Sequence, residues 1–182
     1  YVTFNMGKSW EAFSNGLPNV AVHDMVIQPE AKDLLTGTHG RSIYKTNIEA
    51  LQTIDVEKVT DDITFLDVES VKHSGSWGSA WSPWFDAFEP ETTIKFFSKS
   101  AGNKTLKILS EKGAELNSIS IKVGKGFNYV DYKLEVTEKG KKALMKEDSS
   151  VHFKETGNKK YYLPKGVYTI SIDNSKTTFE VK

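Results

Sequence analysis

The feature that most restricts the fold is a series of short strand-like runs that continues from residue 63 to the end of the chain. Apolar and polar residues alternate in several runs, and turn sequences such as Gly102-Asn103, Lys112-Gly113 and Asp173-Asn174 separate them. Alternation gives each strand one apolar face, and short regular spacing favours two packed antiparallel sheets. We therefore predict an all-β fold with these strands: 63–68, 92–98, 104–109, 118–123, 129–136, 151–154, 160–163, 167–172 and 177–181. The charged residues 138–147 are expected to form a loop or a short helical turn.

The start of the chain has a second pattern, Thr-x-Asn-x-Gly-x-x-Trp, formed by Thr3, Asn5, Gly7 and Trp10. An asparagine side chain can bond to nearby backbone and hold a tight turn. Glycine accepts the positive φ that such a turn needs. We expect a hairpin here, with the Trp10 ring buried beside the turn.

Three further strands are predicted at residues 20–27, 33–38 and 41–46, with a tight turn at His39-Gly40. The run 20–27 is rich in β-branched and apolar residues, which favours a strand buried on both faces. We expect a positive φ at Gly40 as well as at Gly7, and an unpaired edge on this small sheet. Residues 47–61 show a weak apolar stripe of helical spacing.

These N-terminal motifs together resemble a known architecture. The pattern at residues 3–10 is similar to an Asp-box. Together with three later segments, it resembles the last blade of bacterial sortilin-like propellers. These segments are Gly16-Leu17-Pro18, Val22-His23-Asp24 and residues 37–44. Such Asp-box, or BNR-repeat, proteins are commonly labelled glycosyl hydrolases. The resemblance implies that the chain is the C-terminal part of a larger, secreted, periplasmic or cell-surface β-propeller protein.

The C-terminal part carries a second resemblance. Residues 126–132 and 163–170 resemble paired signatures of immunoglobulin-like domains of the flagellar hook-capping type, although Lys165 separates Pro164 from Gly166. The two resemblances imply a division into a propeller end at 1–47, a connector with a short helix at 48–62, and an immunoglobulin-like or fibronectin-type sandwich at 63–182. The remainder of the propeller would be the partner of this chain.

Composition excludes several classes of function. Lysine and arginine balance aspartate and glutamate at 24 each, so the chain has no electrostatic signal for nucleic acid or for anionic membranes. It has no cysteine, which removes disulfides and thiolate metal sites. It also has no apolar run of about 18 residues, so no membrane span is expected.

The candidate chemical residues of the predicted blade are His23, Asp24, His39 and Arg41. Glycoside hydrolysis generally needs two carboxylates facing one bond, and the second would have to come from another blade. None of the four histidines, at 23, 39, 73 and 152, has metal-ligand spacing. We therefore assign no catalytic residue, metal or cofactor to this chain, and expect it not to be catalytic by itself.

Five large aromatic residues lie within residues 77–88, a segment we call the aromatic loop. It contains Trp77, Trp81, Trp84, Phe85 and Phe88. One hypothesis is that at least two of the three tryptophans are buried, so that the loop helps the sandwich to pack on, stabilise or position the propeller. The alternative is a carbohydrate-binding module in which the three tryptophans stack on a polysaccharide. A peptide ligand is a further expectation from the resemblance.

Overall fold

The computed structural model describes residues 1–13, 17–54, 61–66 and 68–182. The chain divides into two compact units, Tyr1–Thr60 and Asp61–Lys182. Both units are built mainly from strands, and the described sheets pair their strands antiparallel. The prediction of a β-rich, antiparallel chain is confirmed.

The first unit opens with the expected hairpin, closed by an antiparallel bridge between Val2 and Glu11. The hydroxyl of Thr3 accepts a hydrogen bond from the Gly7 N–H at 2.8 Å, and the Asn5 side-chain oxygen accepts one from Ser9 at 2.9 Å. Gly7 has φ +87°, as predicted. The expected burial of Trp10 is wrong, because its ring is 57% exposed. A hairpin held by one bridge has too little surface to cover an indole.

The main sheet of this unit contains three strands in the order β1 (Val22–Gln28), β2 (Asp33–Thr38) and β3 (Ile43–Asn47). β1 is an edge strand, as expected for a sheet with an unpaired edge. The prediction that this run is buried on both faces is wrong, since all seven residues of β1 are exposed. In the described part of this unit, no second layer covers either face of the strand.

Two local features complete the first unit. Gly40, in the turn between β2 and β3, has φ +70°, which confirms the predicted positive φ. Helix α1 covers Glu49–Thr53 and follows Ile48, whose side chain is buried. The rest of the predicted connector, residues 55–60, lies outside the described residues, as do Ser14, Asn15 and Gly16.

The second unit contains nine strands and one helix among its described residues. In chain order the elements are β4 Ile63–Phe65, β5 Thr92–Ser98, β6 Gly102–Leu109, β7 Glu115–Val123, β8 Gly126–Tyr132, β9 Glu135–Val136, α2 Glu138–Glu147, β10 Tyr161–Tyr162, β11 Gly166–Ile172 and β12 Ser175–Val181.

These strands form a four-stranded sheet of order β12-β11-β6-β7, a three-stranded sheet of order β4-β5-β8, and the short pair β9-β10. Inward side chains from the two larger sheets form one hydrophobic cluster, because alternate residues of each strand point the same way. Members from the three-stranded sheet include Ile63, Ile94 and Phe96, and those from the four-stranded sheet include Leu106, Ile108, Ile121, Ile170, Ile172 and Phe179.

Four expectations for the second unit differ from the structure. Residues 138–147 form the ten-residue helix α2, capped by the Thr137 hydroxyl, which accepts from the Gly140 N–H at 3.0 Å. Residues 151–154 form no strand, although Val151 and Phe153 pack against the core. The predicted strand 129–136 is broken after β8, where Leu134 has φ +55°. Gly102 and Asn103 belong to β6 rather than to a turn.

Candidate functional site: the aromatic loop

Two backbone hydrogen bonds close the base of the aromatic loop. We call this base the neck; its first side is residues 77–79 and its second side is residues 88–89. The Gly78 N–H donates to the Phe88 carbonyl oxygen at 2.7 Å, and the Phe88 N–H donates to the Ser79 carbonyl oxygen at 3.0 Å. These bonds bring the two ends of the segment together, as in a compact surface loop with its own shape. The residues between them are therefore presented from a fixed base.

The first side of the neck is packed into the body of the second unit. Trp77 is 5% exposed and belongs to the hydrophobic core, with its ring 6.2 Å from that of Tyr162. Gly78 has φ +71°, and a Cβ at this position would lie 2.4 Å from the Cβ of Thr156. The Asn158 N–H also donates to the Gly78 carbonyl oxygen at 3.0 Å. A glycine is required here by both conformation and space.

The second side of the neck is held by the carboxylate of Glu89. Lys133 and Lys160 both donate hydrogen bonds to it, the latter at 2.7 Å, and Asn158 donates at 3.3 Å. The bonds from Lys133 and then Lys160 lower the pKa of Glu89 to about 2. Sequence reasoning missed these residues because they are separated by 44 and 71 positions from Glu89.

Beyond the neck, the aromatic rings point to solvent. Trp81 and Trp84 are each 91% exposed, and more than half of Phe85 and Phe88 is exposed. The prediction that at least two of the three tryptophans are buried is therefore wrong. Only Trp77 is buried, which also removes it from the predicted stacking set. The contacts of the neck hold the loop in place, so the exposed rings do not have to be buried in the core.

The exposed rings are themselves arranged against one another. The ring centroids of Trp81 and Phe85 lie 5.9 Å apart at an interplanar angle of 60°, a tilted contact typical of stable aromatic pairs. The Phe85 N–H donates to the Ser82 carbonyl oxygen at 3.1 Å, forming a turn between the two rings. The loop therefore offers Trp81 and Trp84 as large accessible surfaces with a defined local backbone.

The residues singled out in the predicted blade do not form a comparable site. The rings of His23 and His39 stack with centroids 5.1 Å apart, and both residues are exposed. Asp24 accepts a hydrogen bond from the Met25 N–H at 2.8 Å, which is a local turn-type contact. Among the described residues, no group of three or more histidine, aspartate or glutamate side chains is placed to hold a metal ion.

Comparison of the chain with protein-family models, with curated proteins and with solved structures gives no match. Of the helices in the described ranges, none has the length and apolar character needed to cross a membrane. The functional interpretation therefore depends on the geometry of the aromatic loop and of the two β-rich units.

Proposed function

We propose that this chain is the non-catalytic C-terminal portion of a larger Asp-box propeller protein, in which it packs on and positions the remainder of the propeller. The observation that carries the proposal is the exposure of β1. Met25 and Ile27 lie on one face of this strand and Val26 on the other, and more than half of each side chain is exposed. Apolar residues on both faces favour a strand covered on both sides, as in a propeller blade between neighbouring blades.

The hairpin at Val2–Glu11 supports the same assignment. Thr3, Asn5 and Gly7 make the turn that the Asp-box resemblance implies, with the Thr3 hydroxyl accepting from the Gly7 N–H. In this proposal the hairpin and the three-stranded sheet are the end of the propeller, and the neighbouring blades cover β1.

The second unit supports an immunoglobulin-like or fibronectin-type sandwich. A four-stranded and a three-stranded antiparallel sheet share one core. The hydroxyl of Tyr168, near the start of β11, donates to the Pro164 carbonyl oxygen at 2.7 Å. A tyrosine bonded to backbone a few residues upstream, at the start of a late strand, is typical of immunoglobulin-like domains. The sandwich would act as a rigid platform, with the parent protein secreted, periplasmic or on the cell surface.

The proposal is tested by the coding sequence upstream of Tyr1 and by hydrogen exchange. Repeats of the Thr-x-Asn-x-Gly-x-x-Trp pattern upstream would support a propeller, whereas an unrelated upstream sequence would contradict it. In the longer protein, the amides and side chains of β1 should be covered, so deuterium uptake over residues 22–28 should be slower than in the 182-residue chain. Equal uptake in both proteins would show that no neighbouring blade packs on β1.

A further inference from the structure

We propose that the aromatic loop is a binding site for an uncharged polysaccharide, with Trp81 and Trp84 as the stacking surfaces. The test of this role is independent of the propeller, because the hydrogen bonds described at the base of the loop join residues of the unit Asp61–Lys182. The loop and the blade can therefore be tested separately.

The first argument is the combination of exposure and anchoring. Trp81 and Trp84 are 91% exposed, so each presents nearly its whole ring to a ligand. The neck is held by the Gly78–Phe88 backbone bond and by Glu89, which has three hydrogen-bond donors from other parts of the unit. A surface that is already ordered loses less conformational entropy on binding than a mobile loop does.

The second argument is the chemistry of the exposed groups. An indole ring combines a flat apolar face with a polar N–H, which suits a sugar ring that has an apolar C–H face and a hydroxyl-bearing edge. In the sequence, Ser82 lies between the two tryptophans, and Asp86 lies two residues after Trp84. They add hydrogen-bonding groups for sugar hydroxyls. Trp81 and Trp84 therefore offer two exposed indole rings for stacking on sugar rings.

The third argument is the charge of the segment. Residues 77–88 contain one charged side chain, Asp86, and no lysine or arginine. The cationic groups of Lys133 and Lys160 near the neck are already paired with the carboxylate of Glu89. A ligand rich in phosphate or carboxylate groups would therefore be repelled by Asp86, and the loop has no cationic side chain to attract it. This charge disfavours anionic glycans and anionic lipid surfaces as ligands.

The experiment compares the 182-residue chain with a Trp81→Ala/Trp84→Ala double variant and with Trp10→Ala as the matched control. Trp10 is a half-exposed tryptophan of the other unit. Each protein is tested by co-sedimentation with insoluble cellulose, chitin and β-1,3-glucan, with polygalacturonate in affinity gels, and with phosphatidylcholine vesicles. Circular dichroism and thermal melting check that the double variant folds, as expected for a change to two exposed rings.

We expect the parent chain and Trp10→Ala to bind at least one of the three uncharged polysaccharides, and the double variant to lose at least ten-fold in affinity. Failure of the parent chain to bind any of the three would overturn the proposal. So would binding that survives in the double variant, or tryptophan-dependent binding confined to polygalacturonate or to the vesicles. The last result would indicate a membrane-interface loop instead.

Discussion

Lys160 donates a hydrogen bond from its Nζ to Glu89 Oε1 at 2.7 Å, joining the residue before β10 to the residue that follows the aromatic loop. Glu89 also binds Lys133, and both cations lower the pKa of its carboxyl from 4.5 to about 2. A carboxylate with a depressed pKa in the folded state stabilises the fold above its unfolded pKa. That contribution is lost as the pH falls from about 4.5 towards 2.

We therefore expect Glu89→Gln to lower the free energy of unfolding by about 1 kcal/mol at pH 7, a modest value because the ion pairs are partly exposed. The difference from the parent chain should shrink as the pH falls from about 4.5 through 2, as measured by urea unfolding at several pH values. Glu111→Gln, a change at an exposed turn residue, is the control and should have little effect. A difference that stays constant from pH 7 to pH 2 would contradict the assigned role of the carboxylate.

Tyr168→Phe should destabilise the second unit by about 1–2 kcal/mol. The substitution removes the donor to the Pro164 carbonyl oxygen and leaves that acceptor without its partner while the ring stays buried. Urea unfolding at neutral pH measures the effect. Tyr129→Phe is the matched control, since the structure shows no hydrogen bond from the Tyr129 hydroxyl to a described residue. Equal stabilities for the two variants would show that the Tyr168 bond contributes nothing.

Thr3→Val should loosen the N-terminal hairpin. The hydroxyl of Thr3 accepts from the Gly7 N–H at 2.8 Å, and valine keeps the shape of the side chain without this acceptor. We expect amide exchange of Glu11, whose N–H bonds to the Val2 carbonyl oxygen at 2.8 Å, to become several-fold faster. Thr3→Ser should restore the slow exchange, because it returns the hydroxyl. Slow exchange in Thr3→Val, equal to that of the parent chain, would show that the hydroxyl does not hold the hairpin.

Strand positions with strong alternation could be predicted from the sequence. β5 at Thr92–Ser98 matches the prediction, and β11 and β12 differ from it by one or two residues at one end. The alternating run 151–154 shows why a two-residue apolar period is not enough to predict a strand. Val151 and Phe153 pack against the core as alternation predicts, yet the run pairs with no strand. A period of two indicates which side chains face inward, but not whether a neighbouring backbone is available.

The helix and the loop required information that local sequence lacks. α2 buries Gly140 and Leu144 and carries many charged residues. Its apolar stripe is therefore too narrow to give a clear helical pattern in the sequence. The aromatic loop contains enough apolar surface to predict burial, but Glu89 and its distant lysines anchor the neck while Trp81 and Trp84 remain exposed. Such long-range ion pairs have no signature in a single sequence.

The contact between Gly140 and Leu116 gives a prediction for how α2 sits on β7. The β6–β7 pairing shifts register between Ile108 and Leu109, leaving Leu116 without a partner on β6. Its carbonyl oxygen instead accepts from the Thr137 N–H at 3.0 Å, which ties the start of α2 to this irregularity of the strand. A Cβ on Gly140 would lie 2.1 Å from the same oxygen.

Gly140→Ala should therefore force α2 away from β7 and cost about 3 kcal/mol, at the upper end of the usual penalty for overpacking, because the obstacle is backbone. Alanine normally favours a helix, so propensity alone predicts a gain instead of a loss. Gly102→Ala is the matched control, since a Cβ there meets no atom within 4 Å. Urea unfolding of both variants measures the difference. An unchanged or raised stability for Gly140→Ala would show that the helix does not need this close approach.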